Sequence, residues 1–311
     1  MTRSAPASPV ELGLPATPRK AAADDPPAQH VRARLDEQVR ALLEHEEVAR
    51  EGEDPEGVHQ MRVAVRRIRA ALKASDEPDV ELLQAELRWF GGILGRIRDL
   101  DVLLGHLRAQ AADLPEDEQA AVERLLRGLD DERRRARRRM LDTLRGARYE
   151  TLLRTLATAA TSDAPVNGYP VAERSTAPAL LDVIVKPHRK LAKAARALGE
   201  DPPDDELHAL RIRGKRLRYA AELAEPAAGK PVRRLIKATK DFQDVLGDHQ
   251  DTVVAEEEVR RLLAERTDAD QEVVFVAGRL VERERARRAD CRARWRDAFE
   301  EVDRQAAALV R

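Results

Sequence analysis

The sequence contains a single cysteine, Cys291, and only 3% of its 311 residues are aromatic. One cysteine excludes a disulfide within the chain and any zinc site built mainly from cysteines, and it fits a reducing compartment. Single-stranded nucleic acids are usually held by stacking on aromatic side chains, and four Phe, three Tyr and two Trp offer few such platforms. We therefore expect a cytoplasmic protein whose preferred ligand is not nucleic acid.

Long apolar runs and a net charge are also missing from the sequence. No stretch is apolar for long enough to span a bilayer, and the N-terminus lacks the charged-then-apolar order of a secretory signal. Lys plus Arg (56) nearly balances Asp plus Glu (57), so the total charge does not favour an anionic partner. We expect no membrane partner, and the sequence leaves the oligomeric state open.

Signatures of catalysis and of metal binding are absent as well. There is no Gly-rich phosphate loop followed by Lys, no HExxH pattern, and no Ser/His/Asp or Cys/His arrangement. The seven histidines include no pair at positions i and i+4 that would suit a metal ion on a helix. We expect no enzymatic activity, no metal and no cofactor.

Positive charge is instead concentrated in two acid-free stretches, residues 58–75 and 207–221. The second stretch repeats the first 149 residues later, with a histidine, then an arginine, then a pair of basic residues and a further arginine. The two segments are His59-Gln-Met-Arg62-Val-Ala-Val-Arg66-Arg67-Ile-Arg69 and His208-Ala-Leu-Arg211-Ile-Arg213-Gly-Lys215-Arg216-Leu-Arg218. A locally one-signed surface attracts anions whatever the total charge.

Helical spacing gathers these cations on one side of each helix. At about 100° per residue, the cations of the first stretch fall within about 80° of one another, opposite an apolar stripe. The members of the first basic side are His59, Arg62, Arg66, Arg69 and Lys73, and those of the second are His208, Arg211, Lys215 and Arg218. Guanidinium groups suit phosphate oxygens, so we expect a linear polyanion as the ligand.

Further repeated stretches predict an internal duplication. The segment Leu94-Gly95 to Asp99 recurs as Leu246-Gly247 to Asp251, and residues 132–138 recur as 282–288. The sequence predicts an all-α fold of two pseudo-twofold-related four-helix bundles whose basic faces line a central cleft. The predicted helices cover 31–50, 56–75, 78–110 with a break near Gly91-Gly92, 116–159, 179–199, 204–224, 230–264 and 268–309. The predicted parts are a disordered tail (1–29), a first half (30–160), a linker (161–178) and a second half (179–311).

A second set of arginines falls on the last predicted helix of each half. Arg133 and Arg137, with their counterparts Arg283 and Arg287, lie on the inward side of an amphipathic pattern. An inward arginine needs an anion or a buried carboxylate as its partner, so we include these four in the candidate site. Asp99, Asp101 and Asp251 are interpreted as holding neighbouring arginines rather than a metal.

These motifs resemble the conserved histidine α-helical domain, the CHAD family. The resemblance covers the two His-to-Arg stretches and the Leu94-Gly-x-x-Arg98-Asp99 segment, from about residue 30 onward. It implies two four-helix bundles that bind inorganic polyphosphate in a basic central cavity, often at polyphosphate granules. The residues that it implies as phosphate ligands are His59, Arg62, Arg66, Arg67, Arg69, His208, Arg211, Lys215, Arg216 and Arg218. We add Arg88 and Lys240, which are 152 residues apart.

Two departures from the family pattern bear on these expectations. CHAD domains are often joined to a triphosphate-tunnel (CYTH) domain, and no Glu-x-Glu-x-Lys strand begins this sequence, so we expect binding without catalysis. In the second Leu-Gly segment, Asp248-His249-Gln250 replaces Arg96-Ile97-Arg98, which makes the two halves unequal there.

Three alternatives remain at the level of sequence. The basic faces suit nucleic acid on electrostatic grounds, although aromatic platforms are few. A polyphosphate-cleaving or polyphosphate-transferring enzyme would use a histidine as phosphoacceptor. A helical scaffold would pair its basic faces with acidic helices of its own or of a partner chain.

Overall fold

Ala, Leu, Arg and Glu dominate the sequence, so helix is the local preference of most of the chain. The computed structural model describes residues 6–22, 25, 27–72, 78–162, 177–266 and 271–310. The fold is all-α, as the sequence predicts. The helices are α1 (Pro27–Glu51), α2 (Glu56–Ala71), α3 (Pro78–Ala111), α4 (Glu116–Arg145), α5 (Ala147–Thr161), α6 (Ala177–Ala197), α7 (Asp204–Ala264) and α8 (Gln271–Val310).

Glycines explain several features of the helix boundaries. Gly146, with φ −82° and ψ 148°, divides the single helix predicted over 116–159 into α4 and α5. Gly229, with φ 61° and ψ −136°, is non-helical and kinks α7 between the two helices predicted over 204–224 and 230–264, because glycine adopts a positive φ without a Cβ clash. Helix α3 runs without interruption through Gly91 and Gly92, where we predicted a break.

The chain divides into two compact units. The first unit comprises Met1–Val102 and Asp131–Ser175, and its core contains apolar residues of all five helices from α1 to α5. Phe90 and Tyr149 are fully buried there, with ring centroids 4.7 Å apart. The hydroxyl of Tyr149 donates a hydrogen bond of 3.1 Å to Glu46, a carboxylate of α1 that also accepts from Arg50 at 2.7 Å. Buried charge in α1 is thus paired and hydrogen-bonded.

The segment that precedes α1 packs against this first core. Leu12 and Leu14 are 7% and 3% exposed, and Arg40 of α1 donates a hydrogen bond of 2.6 Å to the carbonyl oxygen of Pro15. This packing differs from the disordered tail that the composition of residues 1–29 predicts. The average composition of residues 1–29 does not reveal that two of its leucines, Leu12 and Leu14, are buried against the core.

The second unit comprises Leu103–Asp130 and Thr176–Arg311. It therefore contains the tip of the α3–α4 hairpin, which ion pairs fasten to α8: His106 to Glu284 at 2.7 Å and Asp113 to Arg283 at 2.5 Å. The predicted first half, residues 30–160, follows the sequence repeat and includes this hairpin tip. The predicted linker lies almost wholly outside the residues that the structure describes.

Candidate anion-binding site

Helix α2 presents a basic side next to a buried apolar side, as its spacing predicts. Met61, Val65 and Ile68 are at most 1% exposed, whereas Arg62 and Arg66 remain partly exposed. The apolar residues recur every three or four positions, so burying them in the first core leaves the arginines between them at the surface. Lys73, which we predicted to extend this basic side, lies outside the described residues.

Helix α3 supplies the other wall of a cavity of about 480 Å³ in the first unit. Gly91, Gly92 and Gly95 line it where a side chain would otherwise fill the space between α2 and α3. Five arginines surround these glycines, and we call them the first basic face. Its members are Arg62, Arg66 and Arg69 of α2 with Arg88 and Arg96 of α3.

Arg62 is fixed in place by α3. Its Nη1 donates hydrogen bonds to the carbonyl oxygen of Gly95 at 3.1 Å and to Asp99 Oδ1 at 2.6 Å. A Cβ on Gly95 would lie 3.5 Å from that Nη1, so the glycine lets the guanidinium approach the helix backbone closely. The predicted role of Asp99, to hold a neighbouring arginine, agrees with this ion pair.

The other arginines of the first basic face have different degrees of internal pairing. Arg96 forms an ion pair with Glu132 of α4. The Nε of Arg69 is buried and has no hydrogen-bond partner among the described residues. Arg88 is exposed and lines the cavity from α3. The face therefore combines guanidinium groups paired within the chain with an exposed arginine, Arg88.

His59 lies at the same end of α2 as Arg62. Burial lowers the pKa of its imidazole below the usual value, and the positive charges of Arg98, Arg66 and Arg62 lower it further, while Glu56 opposes the shift. The imidazole is therefore neutral at pH 7 and can donate one hydrogen bond to an anion.

The corresponding part of α7 contains the second basic face, by which we mean Arg211, Lys215 and Arg218 before the kink at Gly229 and Lys240 after it. Leu210 and Leu217 are at most 1% exposed, so this part of α7 is amphipathic in the same way as α2. Gly247 lies next to Arg211 as Gly95 lies next to Arg62: a Cβ there would be 3.5 Å from Arg211 Nη2.

Carboxylates accompany the second basic face. Arg218 lies 3.5 Å from Glu222. Burial raises the pKa of Asp251, and Arg211 and Lys215 oppose that rise. Burial also raises the pKa of Asp244, where Lys240 and Arg218 oppose the rise and Asp248 adds to it. The acids of this face are Glu222, Asp244, Asp248 and Asp251.

The two motif histidines have different neighbours. His208 Nδ1 lies 2.5 Å from the side-chain oxygen of Gln250, so this ring nitrogen is its proton donor in the pair. Gln250 is 152 residues after Arg98, whose charge acts on His59. In the second unit Gln250 thus forms a hydrogen bond with the motif histidine, whereas in the first unit Arg98 repels the charged form of His59.

Arg133 and Arg137 are occupied by other partners in the first unit. Arg133 forms an ion pair with Asp101, whose side chain is 5% exposed, so the predicted need for a buried carboxylate is met within the chain. Arg137 donates to three carbonyl oxygens at the end of α1, those of Ala49 (3.3 Å), Arg50 (2.6 Å) and Glu51 (2.7 Å). Neither residue lines the arginine-rich cavity, and their role as ligands stays a prediction.

The counterparts in α8 have different surroundings. Arg283 pairs with Asp113 at 2.5 Å and also donates to the carbonyl oxygen of Gln110. Arg287 is exposed. Of the remaining predicted ligands, Arg67 is half-buried and does not line the first cavity, and Arg216 is exposed.

Sequence reasoning missed Arg96 and the three glycines that line the cavity, Gly91, Gly92 and Gly95. Arg96 is not among the ligands predicted from sequence, and the second copy has Asp248 at the corresponding position. Arg88 and Arg96 are eight residues apart on one helix, with Gly92 midway, and this spacing puts all three on the same side of α3. The four-residue spacing is visible in the sequence, but it indicates a ligand site only once α2 is known to pack against this side of α3.

Comparisons with known proteins agree with this architecture. Residues 33–260 match the CHAD domain family. The crystal structure of the CHAD domain from the plant Ricinus communis superimposes with a TM-score of 0.71 at 29% identity, covering 92% of this chain and 95% of that one. PptA from Streptomyces chartreusis shares the fold, with a TM-score of 0.67 at 19% identity over 89% of this chain and 100% of that one. The chain belongs to the CHAD family.

Two proteins of Mycobacterium tuberculosis, from strains CDC 1551 and H37Rv and both called uncharacterized, are each 32% identical to this chain over 292 residues. The alignment covers 90% of this chain and 54% of each relative, so the chain spans about half the length of these relatives. Among the residues that the structure describes, no helix combines the length and apolar character needed to cross a membrane. The same residues contain no group of three His, Cys, Asp or Glu side chains suited to a metal ion.

Proposed function

We propose that this protein binds inorganic polyphosphate without chemically processing it. Membership of the CHAD family supports the choice of ligand, since some members bind polyphosphate. The observation that carries the proposal is the cavity of about 480 Å³ lined by five arginines and one carboxylate in the first unit. Each charge-assisted hydrogen bond to a phosphate contributes about 1.5–3 kcal/mol, and guanidinium groups keep their charge at any physiological pH.

The surroundings of the cavity favour a phosphate chain over nucleic acid. A single strand of nucleic acid needs exposed aromatic rings on which its bases stack. None of the residues that line the arginine-rich cavity is aromatic. Trp89 lines a neighbouring cavity of about 320 Å³, but the guanidinium of Arg148 already lies 3.8 Å from the centroid of its ring. A polymer of phosphates without bases is the better chemical match. Localisation of the protein to polyphosphate granules would follow from this affinity.

Titration with polyphosphate of defined lengths tests the proposal. We expect tight binding that weakens steeply between about 50 and about 200 mM salt, by analogy with counterion release from nucleic acids. Arg69→Gln with Arg88→Gln should weaken binding at least about tenfold, since even one lost contact is worth about 1.4 kcal/mol or more. The matched control is Arg134→Gln with Arg154→Gln, two exposed arginines of the same unit that pair with Asp131 and Glu150. Equal losses in both double variants would show unspecific attraction and contradict the proposal.

Two further measurements separate the alternatives. Polyphosphate should displace single-stranded DNA or RNA at equal phosphate concentration, and the reverse order would favour a nucleic-acid binder. The length distribution of polyphosphate should be unchanged after incubation with the protein and Mg²⁺ or Mn²⁺, whereas shortening would identify an enzyme. No affinity for either polymer at low salt would favour a helical scaffold.

A further inference from the structure

Two cavities of the first unit share part of their lining. The arginine-rich cavity of about 480 Å³ lies between α2 and α3. The cavity of about 320 Å³ is lined by residues of α3 and α4, and we call it the α3–α4 cavity. The residues common to both linings are Arg88, Gly92 and Arg96 of α3. The two cavities therefore meet along one line of residues on this helix.

The helical spacing of α3 explains why these residues belong to both cavities. Gly91 faces α2, since a Cβ on it would lie 3.3 Å from Val65 Cγ1. Ile93 lines the α3–α4 cavity and not the arginine-rich one. At about 100° per residue, the shared residues point between these two directions. A ligand that moves around α3 from one cavity to the other has to pass over them.

Gly92 keeps this boundary low. It is exposed, and a Cβ built on it would meet nothing within 4 Å. Arg88 and Arg96 lie about one helical turn before and after it, and both are exposed. Because glycine has no side chain, a chain of phosphates has room to cross α3 here, between two guanidinium groups.

The α3–α4 cavity continues the positive charge of the first basic face. Arg139 of α4 adds an exposed arginine to its lining, and none of the described residues that line it is acidic. Glu132 offsets the charge of Arg96 from outside the lining, while Arg88 and Arg139 contribute two further cations. The lining as a whole is positively charged and suits phosphate oxygens.

We infer that a bound polyphosphate chain crosses α3 at Gly92 and that its next phosphates lie in the α3–α4 cavity against Arg139. This inference rests on the proposed function and deepens it, because it gives the polymer a path and adds a ligand residue on α4. Arg139 adds to the ligands on the motif helices and replaces none of them. Gly92 acquires a role in binding that depends on the length of the polymer.

Removal of the Arg139 charge from the full chain tests the path. We expect Arg139→Gln to weaken binding of medium-chain polyphosphate at least about fivefold. Tripolyphosphate, which is short enough to be held by the five arginines of the larger cavity, should lose less than about twofold. The matched control is Arg138→Gln, since Arg138 is the preceding exposed arginine of α4 and lines neither cavity. Equal losses in the two variants, or equal losses for the two ligands, would overturn the inference.

A bulky neutral side chain at Gly92 tests the crossing point without changing any charge. Gly92→Leu should weaken binding of medium-chain polyphosphate at least about fivefold relative to Gly92→Ala, with tripolyphosphate affinity within about twofold in both. Thermal unfolding of both variants verifies that they fold. Medium-chain binding that is equally tight in the leucine and alanine variants contradicts a path over Gly92.

Trp89 offers a direct readout of the α3–α4 cavity, which it lines. The other tryptophan, Trp295, is 1% exposed and belongs to the second unit. We expect saturating medium-chain polyphosphate to change the tryptophan fluorescence of the wild type but not that of Trp89→Phe. Unchanged wild-type fluorescence at saturation would overturn the inference. If the wild type binds neither ligand, the proposed function fails, whereas tight binding of both ligands that is insensitive to Arg139→Gln and Gly92→Leu overturns only the path.

Discussion

The guanidinium of Arg137 lies against Gly52, at the point where α1 ends. Its Nη2 donates hydrogen bonds to the carbonyl oxygens of Arg50 at 2.6 Å and Glu51 at 2.7 Å. The last carbonyl groups of a helix have no partner within the helix, and a cation there also interacts favourably with the helix dipole. Arg137 is therefore a capping residue for α1.

This contact predicts a loss of stability without a loss of ligand affinity. Gly52 has φ +72°, and a Cβ on it would lie 1.6 Å from Arg137 Nη1. We expect Gly52→Ala and Arg137→Gln each to lower the free energy of unfolding by about 1–3 kcal/mol, measured by denaturant titration. Polyphosphate affinity of the folded variants should be within about twofold of wild type. Lost affinity at unchanged stability would instead place Arg137 in the binding site, as the sequence predicts.

Adjacent glycines of α3 should respond in different ways to alanine. A Cβ on Gly91 would lie 3.3 Å from Val65 Cγ1, while one on Gly92 would meet nothing within 4 Å. Alanine is favoured over glycine in a helix by about 1 kcal/mol. We expect Gly92→Ala to raise the free energy of unfolding by about 0.5–1 kcal/mol, and Gly91→Ala to lose this gain through crowding of a stiff β-branched side chain. Equal effects in denaturant titrations would contradict the packing of α2 on α3.

His59 should make stability depend on pH. Its pKa in the folded protein is held below the usual value for histidine, first by burial and then by the charge of Arg98. The unfolded chain therefore takes up a proton at a higher pH than the folded one. The contribution of His59 to stability is complete above about pH 6.5 and is lost as the pH falls through the lowered pKa.

Unfolding titrations across this pH range should show a smaller decline for His59→Asn than for wild type. In NMR titrations, Arg98→Gln should move the pKa of the His59 imidazole upward, and added polyphosphate should do the same because an anion stabilises the imidazolium. A His59 pKa that does not respond to polyphosphate would argue that the ligand lies elsewhere.

Cys291 should be inert in the folded protein. The residue is 3% exposed, and burial raises the pKa of its thiol above the usual value. Both effects reduce the amount of accessible thiolate, which is the reactive form. We expect a thiol reagent to modify Cys291 slowly in native buffer and rapidly in denaturing urea. Fast, complete modification of the native protein would indicate local opening of α8.

Much of the fold was predictable because it depends on local pattern. The apolar spacing of Met61, Val65 and Ile68 identified the buried side of α2 before its neighbours were known. The anchoring of the N-terminal segment was not predictable from its composition, because it depends on where Leu12 and Leu14 meet the core. Arg133 illustrates both cases: the sequence indicated that it needs a partner, and the structure supplies Asp101.

The sequence by itself determined the all-α class, the CHAD resemblance and the two arginine-rich helical sides, since these follow from residue order and from a period of about 3.6 residues. Only the tertiary structure decided which arginines surround a cavity, which one caps α1, and which carboxylates oppose the second basic face. The physical reason is that the effect of a charge depends on its distance through space to other charges and on its burial. Arg62 and Asp99, for example, are distant along the chain, and they come within 2.6 Å of each other only when α2 and α3 pack together.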